Sequence, residues 1–232
     1  MINVADSAEF GRLIEAMSRD IVNAQIHYKL YRDLHAALSE HRIVEAQSRT
    51  FWSLTLQAHL NACIHLLCRV YDQNPKALHL RSWLLTIREN LNLFDEEEFR
   101  ERLKDNPYVD SLAKDPRKPD HTILERDLLL CSTDDPLVKT LQIHRGSRIV
   151  HRSAKNIVAE REIGDEHPLT YGAVETLLSR ATEILNRYSN LFAANTYSTQ
   201  IIGHDDFKFI IQCVEQKVEA DRNERRRRFG KT

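Results

Sequence analysis

Four side chains able to move protons or bind anions recur along the segment IHRGSRIVHRSAKN at residues 143–156: His144, Arg148, His151 and Lys155. At roughly 100° per residue on a helix they fall within about 60° of one another and make a single stripe. An arginine and a histidine about two turns apart suit attack on a phosphodiester. Guanidinium grips phosphate oxygens in pairs, and imidazole titrates near neutrality. RNA supplies its own nucleophile, the 2′-hydroxyl, so such a reaction needs neither metal nor cofactor. The competing reading of the same residues is a solvated helix face, or one paired with acidic groups of a neighbouring helix. Residue chemistry alone leaves both open.

The element that must carry the stripe is a helix over Pro136–Ala154, with Asp134 or Asp135 as its cap and Pro136 in its first turn. Leu137 and Leu141 continue the stripe toward the N-terminus, while Val138, Ile143, Ile149 and Val150 lie opposite. A helix apolar on both sides is buried on both sides, so its basic groups belong in a crevice or at a subunit interface.

Residues 12–74 contain neither glycine nor proline, and two more such stretches follow at 173–202 and 204–229. Runs of that length imply long helices. Apolar spacing predicts a helix over about 6–38, a second over Phe51–Tyr71 that is apolar on most sides and stops at Asn74-Pro75, and a polar segment between them. Shorter helices are predicted over Ser82–Asn90, after Asp95, and over Thr122–Leu130, with an exposed loop through DNPYVDSLAKDPRKPDH. Thr170 is expected to cap YGAVETLLSRATEILNRYSNLF, and the last helix to start at Asp205 or Asp206 with Phe209, Ile210, Cys213, Val214 and Val218 on one side. With no strand alternation of useful length, the fold class is all-α.

Composition narrows the function. Thirty-three Lys+Arg against 34 Asp+Glu leave a formal charge of -1, so bulk attraction to nucleic acid or to an anionic membrane is absent and any polyanion site is local. No apolar run has the length of a membrane span and MINVADSAEFGRL does not read as a signal peptide, which predicts a cytoplasmic protein with no membrane partner. Cys63, Cys68, Cys131 and Cys213 are expected to be reduced core residues. His59 with Cys63 is an i,i+4 pair without a second pair, better read as packing than as a metal site. Gly-rich phosphate loops and a GxSxG elbow are absent, which argues against an NTPase or an α/β-hydrolase. The terminal Arg222 and Arg225–Arg228 either touch phosphates or repel one another in a disordered tail spanning 222–232.

The segment around Arg145 and His151, with five residues between them, resembles the signature of the HEPN superfamily, Arg followed after four to six residues by His. The flanking CRVYDQNP, SWLLTIREN and LTYGAVETLLSRATEILNRYSNLF resemble its abortive-infection (AbiU-like) branch over roughly residues 10–200. The resemblance implies one HEPN-like bundle over 1–221 with long antiparallel helices and short additional ones. It implies a homodimer with the two motifs facing each other, and metal-independent endoribonuclease activity in toxin–antitoxin or phage-defence systems, with an antitoxin as a further partner. Arg145 and His151 are then the catalytic residues, and His144, Ser147, Arg148 and Lys155 bind the RNA. One departure is Gly146, where the family often has Asn, Asp or His; another is Ser153, where some HEPN toxins carry a modified tyrosine.

Overall fold

The computed structural model describes residues 1–146, 158, 166–198, 200 and 203–230. Among these there is no strand. The helices are α1 (Ser7–Glu40), α2 (Arg42–Gln47), α3 (Arg49–Val70), α4 (Leu80–Glu89), a 3-10 turn (Leu91–Phe94), α5 (Glu96–Arg102), α6 (Val109–Leu112), α7 (His121–Leu130), α8 (Pro136–His144), α9 (Tyr171–Ala193) and α10 (Phe207–Phe229). No helix of the described residues is long and apolar enough to cross a membrane. They group into two compact units, Met1–Ala24 with Ile64–Thr199, and Gln25–Cys63 with Gln200–Thr232, so α1 and α3 each contribute residues to both.

In the first unit the buried stripe of α1, Phe10, Ile14, Met17 and Ile21, meets large aromatics from later helices. The Phe10 ring lies 6.2 Å from Trp83, 5.8 Å from Phe94 and 4.9 Å from Phe192. Burying such rings, mostly edge to face, is the main source of stability here. Helix starts are set by side chains. Thr170 Oγ1 accepts the Ala173 N–H at 3.1 Å, and Asp135 Oδ1 accepts those of Leu137 and Val138 at 2.9 and 3.1 Å, with Pro136 next to the cap. Each such cap contributes about 1 kcal/mol. At α4 the expected start moves back to Leu80 because His79 and Ser82 satisfy each other's backbone N–H groups.

In the second unit Leu34, Leu38, Val44, Trp52, Phe207 and Ile211 form one small cluster, and α10 packs on α2. Three expectations change here. The polar segment after α1 contains α2, whose Val44 is buried and whose carbonyl takes the Trp52 indole N–H at 3.3 Å. The α10 face that packs is Phe207 and Ile211, leaving Phe209, Ile210 and Cys213 exposed, so Cys213 is not a core residue, unlike Cys63, Cys68 and Cys131. Periodicity locates an apolar stripe but not which edge of it finds a partner. Finally, α10 continues through Arg222–Arg228 to Phe229, and pairs such as Lys217–Asp221 and Glu224–Arg228, each at 2.7 Å, offset the repulsion among the arginines.

Candidate functional site

Helix α8 ends at His144, and the chain opens into a wider π-type turn at Arg145 and Gly146. Such turns are rare overall and frequent at functional sites. Arg145 there meets the segment after α3. Its Nη1 donates to Asp72 Oδ1 at 2.5 Å and its Nη2 to Asp72 Oδ2 at 3.1 Å, a two-pronged pair. The Asp72 side chain is 11 % exposed and that of Arg145 36 %.

Asp72 is itself held. Its Oδ1 accepts the backbone N–H groups of Gln73 at 2.7 Å and Asn74 at 3.1 Å, an Asx-type turn that starts the bend before Pro75. Gln142, one turn before Arg145, donates to the Tyr71 carbonyl at 2.8 Å, and its Oε1 lies 3.4 Å from Arg145 Nη1. Gln73 Nε2 donates to the carbonyls of Tyr71 and Cys131 at 2.9 and 3.0 Å. Below the turn, His79 Nε2 donates to the Asn74 carbonyl at 3.1 Å while its Nδ1 accepts from Ser82, which defines the tautomer. Burial holds His79 below the usual histidine range. Burial also pushes the nearby Cys68 thiol up to about 12, against the lowering influence of Arg145, so this cysteine is a packed thiol and not a nucleophile.

His144 turns the other way. It is 5 % exposed, and its Nε2 donates to the His167 carbonyl at 2.5 Å, tying the end of α8 to the entry of α9. Of the anticipated basic stripe His144 alone is among the described residues, and it and the motif arginine beside it do different things: Arg145 reaches a partly open carboxylate pair, and His144 is enclosed. Ser147, Arg148, His151 and Lys155 lie outside the described residues. Gly146 has no positive φ, and a Cβ built on it meets nothing within 4 Å among the described residues.

The residue that sequence reasoning missed is Asp72. CRVYDQNP contributed to the resemblance, but nothing in a carboxylate next to a proline turn identifies its partner 73 positions away. Elsewhere in the same unit a cleft of about 490 Å³ between α7 and α9 is lined by Arg126, Arg180 and Arg187. Its cations are occupied. Arg187 and Arg126 pair with buried Asp127, and Arg180 pairs with Asp135 at 3.0 Å. No cluster of three or more His, Cys, Asp or Glu side chains among the described residues stands ready for a metal ion.

Comparison with known families found that the AbiU2 model of the HEPN class matches residues 7–211. Comparisons with curated proteins and with solved structures found no match.

Proposed function

The chain belongs to the AbiU2 family of HEPN proteins, and from that premise we propose that it is a metal-independent endoribonuclease of a toxin–antitoxin or phage-defence system, acting in the cytoplasm as a homodimer. The observation that supports this most is Arg145: a guanidinium fixed at a helix end, one third exposed, with donors that the described residues leave unused after its carboxylate is satisfied. In the proposed reaction the substrate's 2′-oxygen bonds to phosphorus while the bond to the 5′-oxygen breaks. His151 moves the proton between them, and Arg145 stabilises the charge on the pentacovalent phosphate. Ser147, Arg148 and Lys155 hold the flanking backbone, and His144 contributes to RNA binding by fixing the end of α8 from its buried position.

A second reading is a non-catalytic HEPN-like module that binds RNA or a nucleotide. Gly146 favours it, since a polar side chain common after the family's arginine is missing. Incubation with RNA in chelator separates the two. Products ending in 2′,3′-cyclic phosphate support the ribonuclease, and intact RNA with retained binding supports the module. Arg145→Ala is expected to cost cleavage about 2–4 kcal/mol of transition-state stabilisation, and His151→Ala to abolish it with the fold retained. Full cleavage by His151→Ala would overturn the assignment.

A further inference from the structure

A guanidinium has five N–H groups, and at Arg145 they can be assigned one by one. One on Nη1 and one on Nη2 go to the two oxygens of Asp72, which is the end-on mode of an arginine–carboxylate pair. The second hydrogen of Nη1 faces Gln142 Oε1. What remains, among the described residues, is Nε–H together with the second hydrogen of Nη2. These two lie side by side along the other edge of the same plane, and that edge is a ready fork for two oxygens of a phosphate.

We propose that Asp72 is a positioning residue for RNA cleavage: it grips the end-on edge of Arg145 and thereby presents the Nε/Nη2 edge to the scissile phosphate. The proposal rests on the ribonuclease reading. Asp72 is well suited to the task because it does not move freely. Backbone N–H groups of Gln73 and Asn74 hold one of its oxygens, and the bend carrying them is bonded to α8 through Gln142 and to the start of α4 through His79. Rotation of the guanidinium about its last bonds would break both prongs at once. The carboxylate also keeps the arginine charge compensated before RNA arrives, so the side chain does not fold back onto other acceptors.

The effect belongs to the transition state. A guanidinium free to swing still attracts an RNA backbone, but it meets the equatorial phosphate oxygens only part of the time, and misplacement of about 1 Å costs roughly a hundredfold in rate. Asp72→Asn keeps the shape and the oxygen that accepts from Gln73 and Asn74, while its amide turns a donor toward Nη2. In the full-length protein, on an RNA that the wild type cleaves, Asp72→Asn is expected to lower kcat by one to two orders of magnitude with KM changed less than about threefold. In the Arg145→Ala background it should add nothing, since the group it positions is gone. Asp72→Glu retains the charge and serves if the amide variant does not fold; its kcat should also fall at unchanged KM.

Wild-type kcat in either variant, or a raised KM with kcat preserved, overturns the positioning role and leaves the ribonuclease standing as long as Arg145→Ala is inactive. A wild-type protein that cuts no RNA, or an Arg145→Ala variant as active as the wild type, overturns the ribonuclease reading itself.

Discussion

The two compact units solve the packing problem with different materials. The unit holding Arg145 has Trp83, Tyr71, Tyr188, Phe10, Phe94 and Phe99 among its fully buried side chains, and its polar groups are bonded in chains that run from Tyr71 through Asp72 to α8. The other has a six-residue cluster, leaves Phe51, Leu54, Phe209 and Ile210 more than half exposed, and uses two histidine–carboxylate contacts, His41 with Glu215 of α10 at 3.2 Å and His204, just before α10, with Asp33 at 2.7 Å. The contrast teaches where a fixed cation is affordable. A guanidinium can be held within tenths of an ångström only if the backbone that carries its carboxylate is immobile, and a large aromatic core provides that.

The chain has two tryptophans, and they fall one in each unit, Trp83 in the first and Trp52 in the second. The largest expected effect uses them. Trp83→Ala removes a ring that packs on Phe10 and Tyr188 and should cost about 3–5 kcal/mol, observed as a lower urea midpoint. With Trp83→Phe the remaining Trp52 fluorescence reports the small cluster, and with Trp52→Phe the remaining Trp83 reports the aromatic core. The Trp52 signal is expected to change at lower urea. Coincident transitions would erase the contrast and make the two units a single cooperative block.

A smaller effect concerns acid. His27 Nδ1 and His59 Nδ1 stand 2.9 Å apart, so one donates and the other must be unprotonated. Burial first, and then the charge of His27, holds His59 below the usual histidine range, and burial does the same for His79. Unfolded, both titrate near 6.5. As pH falls through about 6.5 the unfolded chain takes up protons that the native residues refuse, so stability is lost on acidification and is fully present above that range. His59→Gln should flatten the acid loss of amide-exchange protection in α3 near Thr55–Cys63 and leave α4 unchanged. His79→Gln should do the reverse. If neither variant alters the pH dependence, these histidines are not the groups that titrate.

The smallest expected effect is at Gly146. Its φ is not positive and a Cβ meets nothing among the described residues, so Gly146→Ala should stabilise the protein by about 0.5–1 kcal/mol by reducing the freedom of the unfolded chain. Gly146→Asn, which restores the residue type frequent after the family's arginine, should fold as well as the parent and cleave RNA at least as fast. A drop in thermal midpoint with either substitution would show that the turn after α8 needs glycine.

Helix content, helix order and most boundaries were legible in the sequence, because they depend on neighbours within a turn or two. The spacing of Phe10, Met17 and Ile21, the oxygen of Thr170, and Pro136 after Asp135 act at short range, and α1, α9 and the start of α8 fall where those residues require. Arg145 was legible as a candidate through its spacing to His151 and the segments around it. Contacts between distant segments were not. The carboxylate of Asp72 reaches Arg145 across 73 positions, and the imidazole of His144 reaches the His167 carbonyl across 23. Neither partner has a local signature. The same holds for α10, where Phe207, Phe209, Ile210 and Ile211 are equally apolar and only packing against α2 and its neighbours decided that the first and last are buried. Sequence by itself determined the long helices and the family the chain resembles, since capping and periodicity are written in adjacent residues, while the short α2 and α6 lie in stretches that read as a polar segment and a loop. Tertiary structure alone decided which carboxylate holds the arginine and which histidine is enclosed, because those contacts exist only once helices far apart in the chain have packed together.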